Sequence, residues 1–166
     1  ASSGAAFDLL GKKECKKGAM IGTGGQAAAQ LEAMLAARKL EEVKIFDLNE
    51  ERCKAFAEEM QKGLAKYGAK IIPAKDSDDC IEDADLIITV TPSAKPVFDG
   101  TKVKAGATIS CVGTYEPHKH ELDPAVLPRA SKIICDSKEA ALSETGDLLI
   151  PIAALIVCCV IGMLYT

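Results

Sequence analysis

The stretch Gly22-Thr23-Gly24-Gly25-Gln26-Ala27 sets glycines and a small residue at the spacing GxGxxA. That spacing suits a backbone that must meet a diphosphate. Gly22 permits a tight turn, Gly24 leaves room for the pyrophosphate beside the chain, and Ala27 allows close helix packing. A helix opening at Gln26 adds unpaired N–H groups and the positive end of its dipole. Asp47 closes the next apolar run, where a carboxylate can accept from a ribose 2′-hydroxyl. The chemistry expected of this set is nicotinamide dinucleotide binding. NAD(H) is expected over NADP(H), because a 2′-phosphate at Asp47 would meet a like charge. Arg52 is the counter-argument, since a nearby Arg can accommodate that phosphate. It is expected instead to face solvent on its helix and pair with neighbouring carboxylates.

These residues need elements to position them, and the pattern supplies strands alternating with helices. Apolar runs predict strands over Gly18–Gly22, Val43–Asp47, Lys70–Ala74, Asp85–Thr91, Ala107–Gly113 and Lys132–Asp136. Helical spacing is read over Gln26–Leu40, Glu50–Tyr67 with Asn49 as its cap, Ser77–Asp83, Pro124–Ala130 and Lys138–Glu144. The opening ASSGAAFDLL reads as part of a helix rather than a secretory leader. Strand–helix alternation implies a doubly wound, mostly parallel α/β sheet of the Rossmann type with helices on both faces. One domain is expected over residues 1–147, followed by an apolar segment over 148–166.

Composition narrows the partners. At 166 residues and 48% apolar content the chain can bury one core, and its net charge of −4 with scattered basic residues argues against nucleic acid. Seven cysteines form no CxxC pair, so reduced thiols in a cytoplasmic protein are expected, with Cys111 a small buried hydrophobe. His118 and His120 have no third ligand nearby in sequence and read as a solvated loop; no metal site is expected. Asp76-Ser77-Asp78-Asp79 lacks the pattern of a calcium loop and reads as a helix start. Leu148–Tyr165 carries no charge over a length at the lower limit for crossing a membrane. Packing on the sheet or a neighbouring chain is the first expectation for it, with a membrane anchor or a reading-frame artefact as alternatives.

Three ordered blocks carry a family resemblance: AMIGTGGQAAAQLEAMLAARKLEEVKIFDLNEER, then DADLIITVTPSAKPVFDG, then ISCVGTYEPHKHELDPAVLPRASKIICDSKEAALSETGDL. Together they resemble the ornithine cyclodeaminase/mu-crystallin family up to about Pro151. The resemblance implies a nicotinamide-binding Rossmann domain that normally works beside a separate substrate and dimerisation domain, and a homodimeric parent. It assigns the pyrophosphate loop to Gly22, Thr23, Gly24, Gly25 and Gln26, and the ribose contact to Asp47, Leu48 and Asn49, with Arg52 nearby. It assigns the strand ends beside the cofactor to Thr89, Val90, Thr91, Val112 and Gly113. The implied reaction is NAD-dependent hydride transfer at the C–N bond of a small amino acid or cyclic imine, by a cyclodeaminase, dehydrogenase or imine reductase. Tyr115 stands where the cyclodeaminases have a catalytic aspartate, which shifts the expectation toward dehydrogenase or reductase and leaves the catalytic residues unassigned. The alternative from another class is a non-catalytic dinucleotide-binding module.

Overall fold

The computed structural model describes residues 2–153. Its element order is α1 (Ser2–Leu10), β1 (Lys17–Ile21), α2 (Ala27–Ala37), β2 (Glu42–Phe46), α3 (Glu50–Gly63), β3 (Lys70–Pro73), α4 (Ser77–Ile81), β4 (Leu86–Thr89), β5 (Thr108–Cys111) and α5 (Lys138–Glu144). Short 3-10 turns lie at Ala65–Tyr67, Gly100–Lys102 and Pro124–Arg129. The strands form one sheet in the order β3-β2-β1-β4-β5, with every pairing parallel. Such a sheet needs cover on both faces, and the alternation of buried residues provides it. Met20, Val43, Ile45, Leu86 and Ile88 point into a core shared with Leu31, Met34 and Cys53 of the helices. Ala19, Ile21 and Ile87 point the other way, toward Cys80, Phe98 and Val126.

Local chemistry explains the boundaries. Asn49 accepts from the Arg52 N–H and starts α3, and Asp76 accepts from the Asp79 N–H and starts α4. The acidic run at Asp76 is thus a helix start, as its composition suggests. Arg38, just past α2, closes the end of α1 by donating to the carbonyls of Asp8, Gly11 and Lys12 at 2.8–2.9 Å.

One expected strand is absent. Lys132–Asp136 is irregular, and Ile133 and Ile134 are 55% and 61% exposed. A strand needs a neighbour for its N–H and C=O groups and a layer over its side chains. The apolar run of this segment has neither among the described residues, and β5 is the sheet edge. Residues 146–153 are helical, and among the described residues no helix is long and apolar enough to cross a membrane. The question raised by the apolar tail falls mainly on 154–166, outside the described residues.

This distribution of burial predicts a contrast in urea denaturation. Ile88, fully buried between two strands, should cost about 2–5 kcal/mol when replaced by Ala. Ile134→Ala should change stability by no more than about 0.5 kcal/mol. A large loss at Ile134 would show that its segment is packed after all.

Candidate functional site: the carboxyl edge of the sheet

Parallel pairing brings every strand's C-terminus to one edge. Phe46, Ile21, Thr89 and Cys111 stand in line across the sheet, so the residues that follow them share one rim. The ladder continues one step beyond: the Gly22 N–H donates to Phe46 O at 2.8 Å, Val90 N–H to Ile21 O at 2.9 Å, and Val112 N–H to Thr89 O at 2.9 Å. The strand order reverses between β1 and β4, and a crevice at such a reversal is where open α/β sheets bind ligands. The residues read from the sequence as one site therefore converge: Gly22 to Gln26 after β1, Asp47 to Arg52 after β2, Thr89 to Thr91 at β4, and Val112 and Gly113 after β5.

The glycines of the loop divide by role. Gly22 has φ +103°, and a Cβ there would lie 2.6 Å from the Val90 carbonyl oxygen, so both the turn and the packing require glycine. Gly24 and Gly25 are exposed, and a Cβ at either would meet nothing within 4 Å. No fold contact demands glycine at Gly24; the open space beside it is what a ligand phosphate would use. α2 begins just beyond, with no side chain capping its first turn at Gln26, and Ala27 is fully buried against the core. The Ala27 N–H there donates to Gly24 O at 2.9 Å, and the other first-turn N–H groups have no partner within the helix.

Asp47 is buried at 8% exposure and saturated with donors. One carboxylate oxygen accepts from the Thr23 N–H at 3.0 Å and the Thr23 hydroxyl at 2.6 Å. The other accepts from the Asn49 N–H at 2.9 Å and the Arg52 guanidinium at 2.6 Å. Burial works to raise its pKa, but the bonds from Thr23, Asn49 and Arg52 outweigh burial and hold the carboxyl below its ordinary value. Arg52 thus departs from the sequence reading. It reaches back over the strand end to Asp47 and the Thr23 hydroxyl, at 3.2 Å, rather than to the carboxylates of its own helix. A buried carboxylate is the stronger attraction, because a surface pair on α3 would be screened by water. Beside Asp47 an open groove is lined by Phe46, Leu48, Cys53, Pro73 and Lys75.

The sequence reading missed the residues that hold the other half of the rim. Glu121 is fully buried and accepts four hydrogen bonds: from the Thr91 N–H at 2.5 Å and hydroxyl at 2.7 Å, the Thr89 hydroxyl at 3.0 Å, and the Gly113 N–H at 2.9 Å. Asp147, also buried, accepts from the N–H groups of Glu121 and Leu122 at 2.7 and 2.8 Å and from the Thr114 hydroxyl at 2.8 Å. Apart from Gly113, eight positions from Glu121, their partners from elsewhere in the chain lie 25 to 33 positions away, and no motif marks either residue. Tyr115 is exposed, and Lys119 donates to its hydroxyl at 3.2 Å and to Glu116 at 2.5 Å. Cys111, expected to be buried, is exposed on the edge strand, whereas Cys15, Cys53 and Cys80 are buried free thiols. His118 is exposed and lies 3.3 Å from Glu116.

The family model for the ornithine cyclodeaminase/mu-crystallin family matches residues 1–162. The chain belongs to this family. It is similar to the Delta(1)-pyrroline-2-carboxylate reductase of Bacillus cereus, with 38% identity over 152 residues, covering 92% of this chain and 46% of the relative. Among solved structures it is similar to the Thermococcus litoralis Delta(1)-pyrroline-2-carboxylate reductase in complex with NADH and L-proline, at 36% identity and a TM-score of 0.85 over 92% of this chain and 46% of that one. It is also similar to an archaeal alanine dehydrogenase dimer with bound NAD, at 30% identity and a TM-score of 0.81 over 93% of this chain and 46% of that one. The chain thus spans a little under half the length of these relatives. The Rossmann-type sheet expected from the sequence is the fold observed.

Two predictions follow from the geometry of the rim. In the ligand-free chain, Gly22→Ala should destabilise by more than 1 kcal/mol, from strain at positive φ and the clash with Val90, while Gly24→Val should stay within about 0.5 kcal/mol. Equal losses in thermal or urea unfolding would remove the distinction. Asp47 gives a pH dependence. Its pKa is depressed on folding, so its ionised form stabilises the fold above the unfolded value of about 3.9, and that contribution fades as pH falls from about 5 through the folded value. The stability gap between the original chain and Asp47→Asn should therefore shrink on acidification; a gap constant from pH 7 to 3 would contradict the assignment.

Proposed function

We propose that this chain is the dinucleotide-binding part of an NAD-dependent enzyme that exchanges hydride at the C–N bond of an amino acid or cyclic imine. The observation that carries the proposal is the open, exposed backbone at Gly24 and Gly25, set between an uncapped helix start and the buried carboxylate of Asp47. The residues fit the cofactor end to end. The Gly22 to Gln26 backbone and the start of α2 would hold the pyrophosphate, Asp47 with Leu48 and Asn49 the adenosine ribose, and Thr89 to Thr91 with Val112 and Gly113 would back the nicotinamide. When bound, the nicotinamide ring supplies the hydride chemistry, and the protein's part is orientation and exclusion of water. The reductase and dehydrogenase relatives, together with Tyr115 in place of an aspartate, favour imine reduction or amino-acid oxidation over cyclodeamination. Substrate selection and homodimer formation are assigned to the remainder of the full-length protein, and the free thiols support a cytoplasmic setting.

For the cofactor, NAD(H) is favoured. A ribose 2′-hydroxyl can replace one of the two mobile donors on Asp47, the Thr23 hydroxyl or the Arg52 guanidinium, and keep the carboxylate satisfied. A 2′-phosphate would need Arg52 to swing from Asp47 to itself and would leave the carboxylate beside it. The exposure of the Arg52 side chain makes that swing feasible, so Arg52 limits the preference while Asp47 sets it.

Fluorescence titrations at one ionic strength test this reading. The 166-residue chain should bind NADH, Gly24→Val should weaken NADH at least about tenfold because its side chain fills the phosphate space, and the preference for NADH over NADPH should disappear in Asp47→Ala. Unchanged NADH affinity in Gly24→Val would misplace the site, and tighter NADPH binding by the original chain would refute the NAD(H) preference.

A further inference from the structure

We propose that Glu121 and Asp147 are positioning residues for the nicotinamide half of the cofactor, acting through the two strand-end loops that Glu121 ties together. The inference rests on the dinucleotide reading above. With the pyrophosphate over β1 and the adenosine ribose at Asp47 beyond β2, the far half of the molecule must extend the other way, across the ends of β4 and β5. The backbone it meets there is that of Thr91 and Gly113. These two loops touch: a Cβ at Gly113 would collide with the Thr91 carbonyl oxygen and lie 2.6 Å from the Thr91 nitrogen and 2.8 Å from a Glu121 carboxylate oxygen. Glu121 is the only side chain among the described residues that bonds to both backbones, one carboxylate oxygen taking the Thr91 N–H and hydroxyl, the other the Gly113 N–H and the Thr89 hydroxyl.

The arrangement demands a carboxylate. All four groups around it can donate, and two of them, the Thr91 and Gly113 N–H groups, cannot reverse. A carboxamide offers one accepting oxygen, so in either orientation its NH2 faces one of those backbone N–H groups and releases that loop. Asp147 works one layer further out. It holds the Glu121 and Leu122 N–H groups and the Thr114 hydroxyl, and so fixes the base from which the Glu121 side chain projects. Asp147 also lies at the start of the helical stretch 146–153, where a Cβ at Gly146 would collide with the Lys119 carbonyl oxygen. The departing chain is thereby anchored to the nicotinamide side of the rim.

The test compares two ligands that differ only in the half at issue. NADH and ADP-ribose share the adenosine and diphosphate, and only NADH carries the nicotinamide ring. On the full 166-residue chain, Glu121→Gln should weaken NADH about tenfold while leaving ADP-ribose within about twofold, and Asp147→Ala should move the ratio of the two dissociation constants the same way by a smaller factor. Where Glu121→Gln does not unfold cooperatively, Asp147→Ala decides, since it leaves Glu121's own bonds in place. A merely structural role would weaken both ligands together or lower stability with the ratio unchanged, and either result overturns the proposal. If the original chain binds neither ligand, the dinucleotide reading itself fails and this inference falls with it. If the original binds both and the ratio stays fixed in the variants, only the positioning role is lost.

Discussion

The parallel pairing of β1 between β2 and β4 is the constraint on which the rest of the molecule depends. Because all five strands run the same way, the residues after Phe46, Ile21, Thr89 and Cys111 emerge on one rim in matched register. The hydrogen-bond ladder then runs one step beyond each strand, so that Gly22, Val90 and Val112 are still held as the chain turns away. Gly22 is the tightest point of this design: its left-handed turn fits under the Val90 carbonyl only without a side chain. A shift of β4 relative to β1 would therefore be felt directly at the loop that begins α2.

Two buried carboxylates finish the rim at opposite ends, and their contrast is informative. Asp47 and Glu121 each accept four hydrogen bonds, yet their acidities move in opposite directions. At Asp47 burial is the largest single influence and works to raise the pKa, but the bonds from Thr23, Asn49 and Arg52 together outweigh it and hold the carboxyl below its ordinary value. At Glu121 burial is again the largest influence, and here it wins over the bonds from Thr91, Gly113 and Thr89, so the pKa is raised. Asp47 is thus a carboxylate balanced by the exposed guanidinium of Arg52. Glu121 is surrounded by neutral donors only, and a buried carboxylate so placed keeps its charge only while every donor stays in place. This dependence is why Glu121 can report on the placement of both loops.

Much of this was legible in the sequence, for identifiable reasons. GxGxxA combines two signals that survive without any tertiary knowledge, a turn that tolerates only glycine and the onset of helical spacing, so the β1–α2 loop could be found directly. Asp47 was found because it ends a strand of alternating pattern. The apolar runs of β1 and β4 are legible because a parallel strand covered on both faces is almost continuously hydrophobic. Lys132–Asp136 has that same local signature without a neighbour or cover among the described residues, and local pattern cannot report on either. Arg52 was misplaced because its partner is reached across a strand end rather than along its helix. Glu121 and Asp147 leave no local signal: neither belongs to a recognisable motif, and contacts as far as 32 and 33 positions away in sequence give them meaning.

The central claim is that one extended dinucleotide lies along this rim from Asp47 to Gly113. The most direct measurement is a two-dimensional 15N–1H NMR titration of the full chain with NADH, following the assigned backbone amides. The account predicts perturbation of the Thr23 to Gln26 amides, of Asn49 beyond β2, and of Thr91 and Gly113 beyond β4 and β5, all with a common dissociation constant. Perturbations confined to one end of the rim, or centred away from it while Gly24 and Gly25 stay unmoved, would contradict it.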